Sequence, residues 1–183
     1  MSIIKILITP KKGTKTSLMN KAFLLFTCRE MMILFAILMF LVSIPMVLEQ
    51  FFILWEHWSI PPSDKMIDEM ENLIDGFAGV LVAAGVYMEE RAAIREIALG
   101  KTEDIPLQHY LNEISLHNGM GILMMGLFME VGTLVLEMPE RLINTDGTEK
   151  HIFGICLTLS ILSLIILLDF VKDYIVTYFK KHV

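Results

Sequence analysis

Cysteine is almost missing from this chain of 183 residues, which has only Cys28 and Cys156. Neither belongs to a CxxC pair, so no thiol metal site or dithiol redox centre is expected. They fall near opposite ends of two different apolar segments, which makes a bond between them within one chain geometrically implausible. Charge is scarce too, at 20% of residues. The common catalytic and nucleotide-binding signatures are absent: no GxxxxGK[ST], no GxGxxG opening a helix, no HExxH, no GxSxG and no CxxCH. A ferritin-like di-iron bundle needs two ExxH motifs, whereas EISLH, starting at Glu113, is ExxxH and occurs once. No fixed repeat or low-complexity tract is present. These absences leave no enzyme chemistry to assign.

Apolar residues are what the chain has in excess. They make up 55% of it, and the mean hydropathy is +0.61. One soluble domain of this size normally buries far less apolar surface. Crossing a hydrocarbon core about 30 Å thick takes roughly 20 residues of helix. Four stretches approach or exceed that length, at about 31–55, 72–88, 114–138 and 152–171. The second is the shortest and contains Asp75. The expected fold is an all-α integral membrane protein: one domain over residues 1–183, with four transmembrane helices in a bundle.

The positions of the bases orient it. Lys5, Lys11, Lys12, Lys15, Lys21 and Arg29 precede the first span; Arg91, Arg95 and Lys101 lie between the second and third; Lys172, Lys180 and Lys181 follow the fourth. Only Lys65, Arg141 and Lys150 lie on the other side. The positive-inside rule therefore puts both termini on the cytoplasmic side of a multi-pass protein. Residues 1–30 then form a basic cytoplasmic segment, either a surface helix on anionic headgroups or a loosely held tail. IIKILIT is too short and too interrupted for a cleavable signal peptide. Its lysines are not interleaved with aromatics, so no nucleic-acid partner is expected. Trp55 and Trp58 fall where an outer interfacial aromatic belt would place them.

Polar residues inside the spans are the candidates for function. A carboxylate in the hydrocarbon costs about 2.5–3.5 kcal/mol on insertion scales unless it neutralises or finds a partner. At about 100° per residue, Gly119, Gly126, Glu130, Thr133 and Glu137 share one face of the third span. Asp68, Asp75, Gly79, Val82 and Val86 share a face of the second, with Asn72 and Ala83 at its edge. Val42, Pro45, Met46, Glu49, Ile53 and Glu56 share a face of the first. Small residues allow close backbone approach and polar groups need protein partners in lipid. The three stripes are therefore expected to face one another, with Gly79, Ala83, Gly119, Gly126 and Thr133 packing the helices. Glu49, Asp75, Glu130 and Glu137 then form a buried polar cluster or an ion pathway, with no Lys or Arg of the chain at that depth. At least one would be protonated, or they would share a cation or a basic residue from another chain. A protonated Glu130 bonded to a backbone carbonyl freed by Pro45 is the alternative.

At the inner end, His109, Glu113 and His117 recur four residues apart on one stripe, a ligand set that zinc or iron would accept. Three ligands over two turns cannot easily reach one ion, so a site would need a further group such as Glu89 or Glu90. His117 with Met124 would suit copper, although methionine is also an ordinary packing residue. No cofactor is predicted outright. The function expected is a non-catalytic accessory or structural subunit of a larger membrane protein complex. The alternatives are a small oligomeric ion or proton channel using the carboxylates, and a metal-binding membrane protein using the His/Glu set. The partners are the lipid bilayer and other membrane subunits or further copies of the chain.

Overall fold

The computed structural model describes residues 29–59, 63–99, 106–138 and 147–180. They form four helices: α1 (Arg29–Glu56), α2 (Asp64–Leu99), α3 (Pro106–Glu137) and α4 (Glu149–Lys180). Each is long and apolar enough to cross a membrane. The expectations for residues 1–28, Cys28 among them, lie outside the described residues. The stretch expected at 72–88 is the middle of a helix of 36 residues. Its flanks, DKMIDEME and EERAAIRE, are rich in residues that lose little on entering a helix, so the helix runs on past the apolar window at both ends.

Local chemistry sets the helix ends. The Ser63 hydroxyl accepts from the Met66 amide at 3.3 Å, and Asp64 places negative charge in the first turn of α2. Pro106 opens α3, where its missing N–H costs nothing. Gly147 takes a φ of +80° before α4, and the Thr148 carbonyl accepts from the His151 and Ile152 amides. Past the end of α1, the Lys150 ammonium of α4 donates to the His57 and Trp58 carbonyls, both at 2.8 Å. A cation is favourable at that negative pole.

The four helices run alternately up and down around a ring, with α1–α2, α2–α3, α3–α4 and α4–α1 adjacent and α2 also touching α4. The α2–α3 contact is the most extensive. Buried residues recur at spacings of three and four. On α2 they are Met70, Ile74, Phe77, Leu81, Ala84, Met88 and Arg91; on α3, Leu111, Ser115, Gly119, Ile122, Gly126, Met129 and Thr133. This is the seam of a left-handed bundle, in which an average of 3.5 residues keeps one stripe facing inward. The end that holds the α1–α2 and α3–α4 connections is called the paired-loop end below, and the other the terminal end.

Polar groups interrupt the core at one level of the paired-loop half. Gln50 of α1 is fully buried, and its Oε1 accepts from Ser160 of α4 at 2.9 Å. The same hydroxyl lies 2.9 Å from the Cys156 carbonyl and 3.6 Å from Met129 Sδ, and its single proton serves one of them at a time. Gln50 Nε2 has no acceptor among the described residues. Ser160→Ala strands the whole amide and is expected to cost about 1–3 kcal/mol. Gln50→Leu removes the polar group outright and should change stability by less than about 1 kcal/mol. Unfolding in mixed micelles compares the two, and a larger loss for Gln50→Leu would contradict this account.

Candidate functional site

The α2–α3 pair positions the candidate carboxylates, and glycine sets how closely these helices approach. A Cβ placed on Gly85 would lie 2.6 Å from Leu123 Cβ and 2.8 Å from the Gly119 carbonyl. One on Gly126 would lie 2.9 Å from the Ala78 carbonyl and 2.9 Å from Val82 Cγ2. The backbones are therefore in direct contact, as small residues permit between membrane helices. Gly85 was not among the sequence candidates. It lies seven residues after Ala78, as Gly126 lies seven after Gly119, and this paired spacing was the available signal.

These contacts fix the register of the antiparallel pair. Gly126 lies opposite Ala78 and Val82, so Glu130, one turn on, lies level with Asp75. Two further turns bring Glu137 to the level of Glu71, and those two carboxylates are within electrostatic reach of each other. Asp75 is exposed, Glu130 half-buried and Glu137 exposed. Glu49 on α1 is also exposed, although its neighbour Gln50 is fully buried. Three helices carry acids seven residues apart, at Glu49 and Glu56, Asp68 and Asp75, and Glu130 and Glu137. Seven residues span about 10 Å of helix, so the inner member of each pair sits about that far below the outer one.

The expectation that three polar stripes meet inside the bundle is corrected by these positions. Val42, Pro45, Glu49 and Glu56 of α1 are exposed, as are Asp68, Asn72, Asp75, Gly79, Ala83 and Val86 of α2. A Cβ on Gly79 would touch nothing, so Gly79 and Ala83 do not pack α2 against its neighbours in this chain. Gly119, Gly126 and Thr133 are buried, and Thr133 Oγ1 donates to the Glu130 carbonyl at 3.0 Å. The physical reason is competition between faces. The α2 face of Met70, Ile74, Phe77 and Leu81 fills a core, whereas the Asp68–Asp75 face would bring carboxylates in without a cation to offset them. Pro45 lies on the exposed side of α1, across the bundle from α3, and among the described residues no hydrogen bond joins the Glu130 side chain to α1.

His109, Glu113 and His117 run along the exposed side of α3, and Met124 is 43% exposed there. Among the described residues, no three His, Cys, Asp or Glu side chains come together as a metal site requires. Glu89 is half-buried and Glu90 exposed.

Comparison with known protein families, with characterised proteins and with solved structures finds no match. The chain's own residues carry the functional argument.

One further group was missed from sequence. Arg91, counted there only as a base between the second and third spans, is fully buried at the terminal end. Its Nη1 lies 3.5 Å from Asn112 Oδ1 of α3, and its guanidinium lies 5.8 Å from the centre of the Tyr174 ring of α4. The seam spacing on α2, extended past Met88, falls on residue 91 and was the signal for it. The arrangement joins three helices through one planar cation.

Proposed function

We propose that this chain is a non-catalytic accessory or structural subunit of a larger membrane protein complex, docked through the outer faces of α2 and α3. One observation carries the reading. Asp75, Gly76, Gly79 and Ala83 occupy the exposed side of α2 at membrane depth, with the half-buried Glu130 level beside them. Lipid gains nothing from two glycines and is a poor solvent for carboxylates, whereas another helix gains close approach and supplies polar contacts. A Lys or Arg from that helix would meet the need for a cation that this chain leaves open. The positive-inside distribution of bases supports a cytoplasmic side for the terminal end.

Native mass spectrometry of the chain extracted in mild detergent from its own membranes tests this. Co-purification with larger subunits at fixed stoichiometry is expected, and Asp75→Asn or Gly79→Leu should release them while the chain remains folded. Retention of the same partners by both variants would end the proposal.

The level placement of Asp75 and Glu130 also supports a second reading, an oligomeric cation or proton channel formed between copies. It expects a homo-oligomer without other subunits and a flux that Glu130→Gln abolishes. Unchanged flux in that variant removes its basis.

A further inference from the structure

All four helices carry a polar group at one level of the bundle. Gln50 of α1 meets Ser160 of α4, whose hydroxyl lies 3.6 Å from Met129 Sδ of α3. Glu49 and Glu130 are the chain neighbours of Gln50 and Met129, and Asp75 of α2 lies level with Glu130. Ser160 is nine residues from the exposed Asp169 and eleven from Glu149, about 14 and 17 Å along α4. The level therefore falls near the middle of a hydrocarbon core about 30 Å thick, where a charge is most costly.

The outer side of α2 crosses this level and is unlike a lipid-facing surface. Among the described residues Val86 is the one large apolar side chain exposed on α2, against nine on α1, eight on α3 and six on α4. Gly76, Gly79 and Ala83 form a shallow floor there. The rings of Phe35 and Tyr87, with centres 4.6 Å apart, mark the edge of α1 that is turned to α2. Val42 and Glu49 follow Phe35 at intervals of seven, so they stand along that edge, and both are exposed. Gly76 and Ala83, eleven and four residues before Tyr87, run along the matching edge of α2. A Cβ on Gly76 would touch nothing, so the outer side of this seam is open beside Glu49. On the other side of α2 stands α3 with the half-buried Glu130. The result is a trough with a floor of small residues and carboxylates from three helices at one depth.

We infer that this trough seats one transmembrane helix of a different protein, which carries a Lys or Arg in the middle of the bilayer and is anchored there by Glu49 of α1 as well as Asp75. This rests on the docking reading above and extends its seat to α1. The floor allows close backbone approach, and the acids select the charge. A second copy of the chain does not fit. The bases nearest this level, Lys65, Arg91, Lys150 and Lys172, stand ten or more residues along their helices from Asp75 or Ser160, at least about 15 Å away. A copy inserted in the same sense holds its bases at those same depths, so it would add carboxylates and no cation. Lipid has only acyl chains at this depth.

Photocross-linking of the full chain in its own membranes tests the seat. With p-benzoylphenylalanine in place of Val42, illumination should give an adduct with a second protein, and the peptide recovered from it by mass spectrometry should hold a Lys or Arg within an apolar segment. The same probe in place of Leu48, six residues on and turned away from α2, should give no protein adduct. Glu49→Gln should weaken retention of that subunit by about tenfold on dilution of the purified complex, the loss of one charge-assisted contact. Glu56→Gln, at the end of α1, should retain it as wild type does. An adduct to a second copy of this chain, or to an apolar segment without a base, would overturn the inference, as would equal adducts from both positions. If Glu49→Gln keeps the subunit and Asp75→Asn loses it, α1 is no part of the seat and docking on α2 and α3 stands. If no subunit co-purifies with the wild type, both readings fail together.

Discussion

Gly85→Leu is expected to separate α2 from α3 and to leave little folded protein. A Cβ alone would lie 2.6 Å from both the Cβ and the amide nitrogen of Leu123, and backbone cannot move aside as a flexible side chain can. Overpacking in cores typically costs about 1–3 kcal/mol, and contact with the backbone of a rigid helix puts this case at the top of that range or above it. Gly126→Leu should behave alike, since its Cβ would lie 2.9 Å from the Ala78 carbonyl. Gly79→Leu is the control: the same substitution seven residues from Val86 on the exposed side of the same helix meets nothing in this chain. Thermal unfolding followed by circular dichroism in detergent should rank wild type and Gly79→Leu together, well above Gly85→Leu. Equal melting of Gly85→Leu and Gly79→Leu would show that the backbones are not in contact. The same control bears on function, because Gly79→Leu is expected to spare the fold and yet release a partner.

Arg91→Ala should be nearly as damaging, by about 3 kcal/mol or more, through a different mechanism. The guanidinium is fully buried, and its removal takes away the Asn112 contact and the cation–π contact with Tyr174 together while opening a cavity among three helices. Arg91→Lys is the informative companion. It keeps the charge but replaces a planar donor fork with a compact point charge on a differently shaped stem. Its stability should fall close to that of Arg91→Ala, with the Tyr174 environment changed in near-ultraviolet circular dichroism. Full rescue by lysine would show that charge alone is what this position supplies.

These two positions also mark where the sequence was hard to read. Arg91 follows the run Leu81 to Met88 and was counted as a base between the second and third spans, because the span was expected to end near Met88 and EERAAIRE to continue it as a helix projecting outside the membrane. The helix continues to Leu99, and its seam carries residue 91 back into the core. Gly85 sits among other small residues, in VAAGV, where several faces would allow close approach. Only the partner surface, Gly119 and Leu123, selects one of them. On α3 the reading of Gly119, Gly126 and Thr133 as packing residues agrees with their burial, because small residues recur at heptad spacing on that face. On α1 and α2 the polar faces were expected inside and lie outside. The energy of an acid in a core depends on whether a cation is opposite, and one helix read alone cannot say what is opposite.

By itself the sequence determined four apolar helices, their approximate limits, the uneven placement of bases and the acids that need an explanation. Hydrophobicity and helical period are properties of consecutive residues, so they are written along the chain. Tertiary structure alone decided which side of each helix turns inward. It turned Gln50 inward and Glu49 outward, set Glu130 level with Asp75, and drew Arg91 into the core. Those outcomes depend on the shape and charge of surfaces from different helices, and the free energy of bringing two surfaces together belongs to neither segment alone.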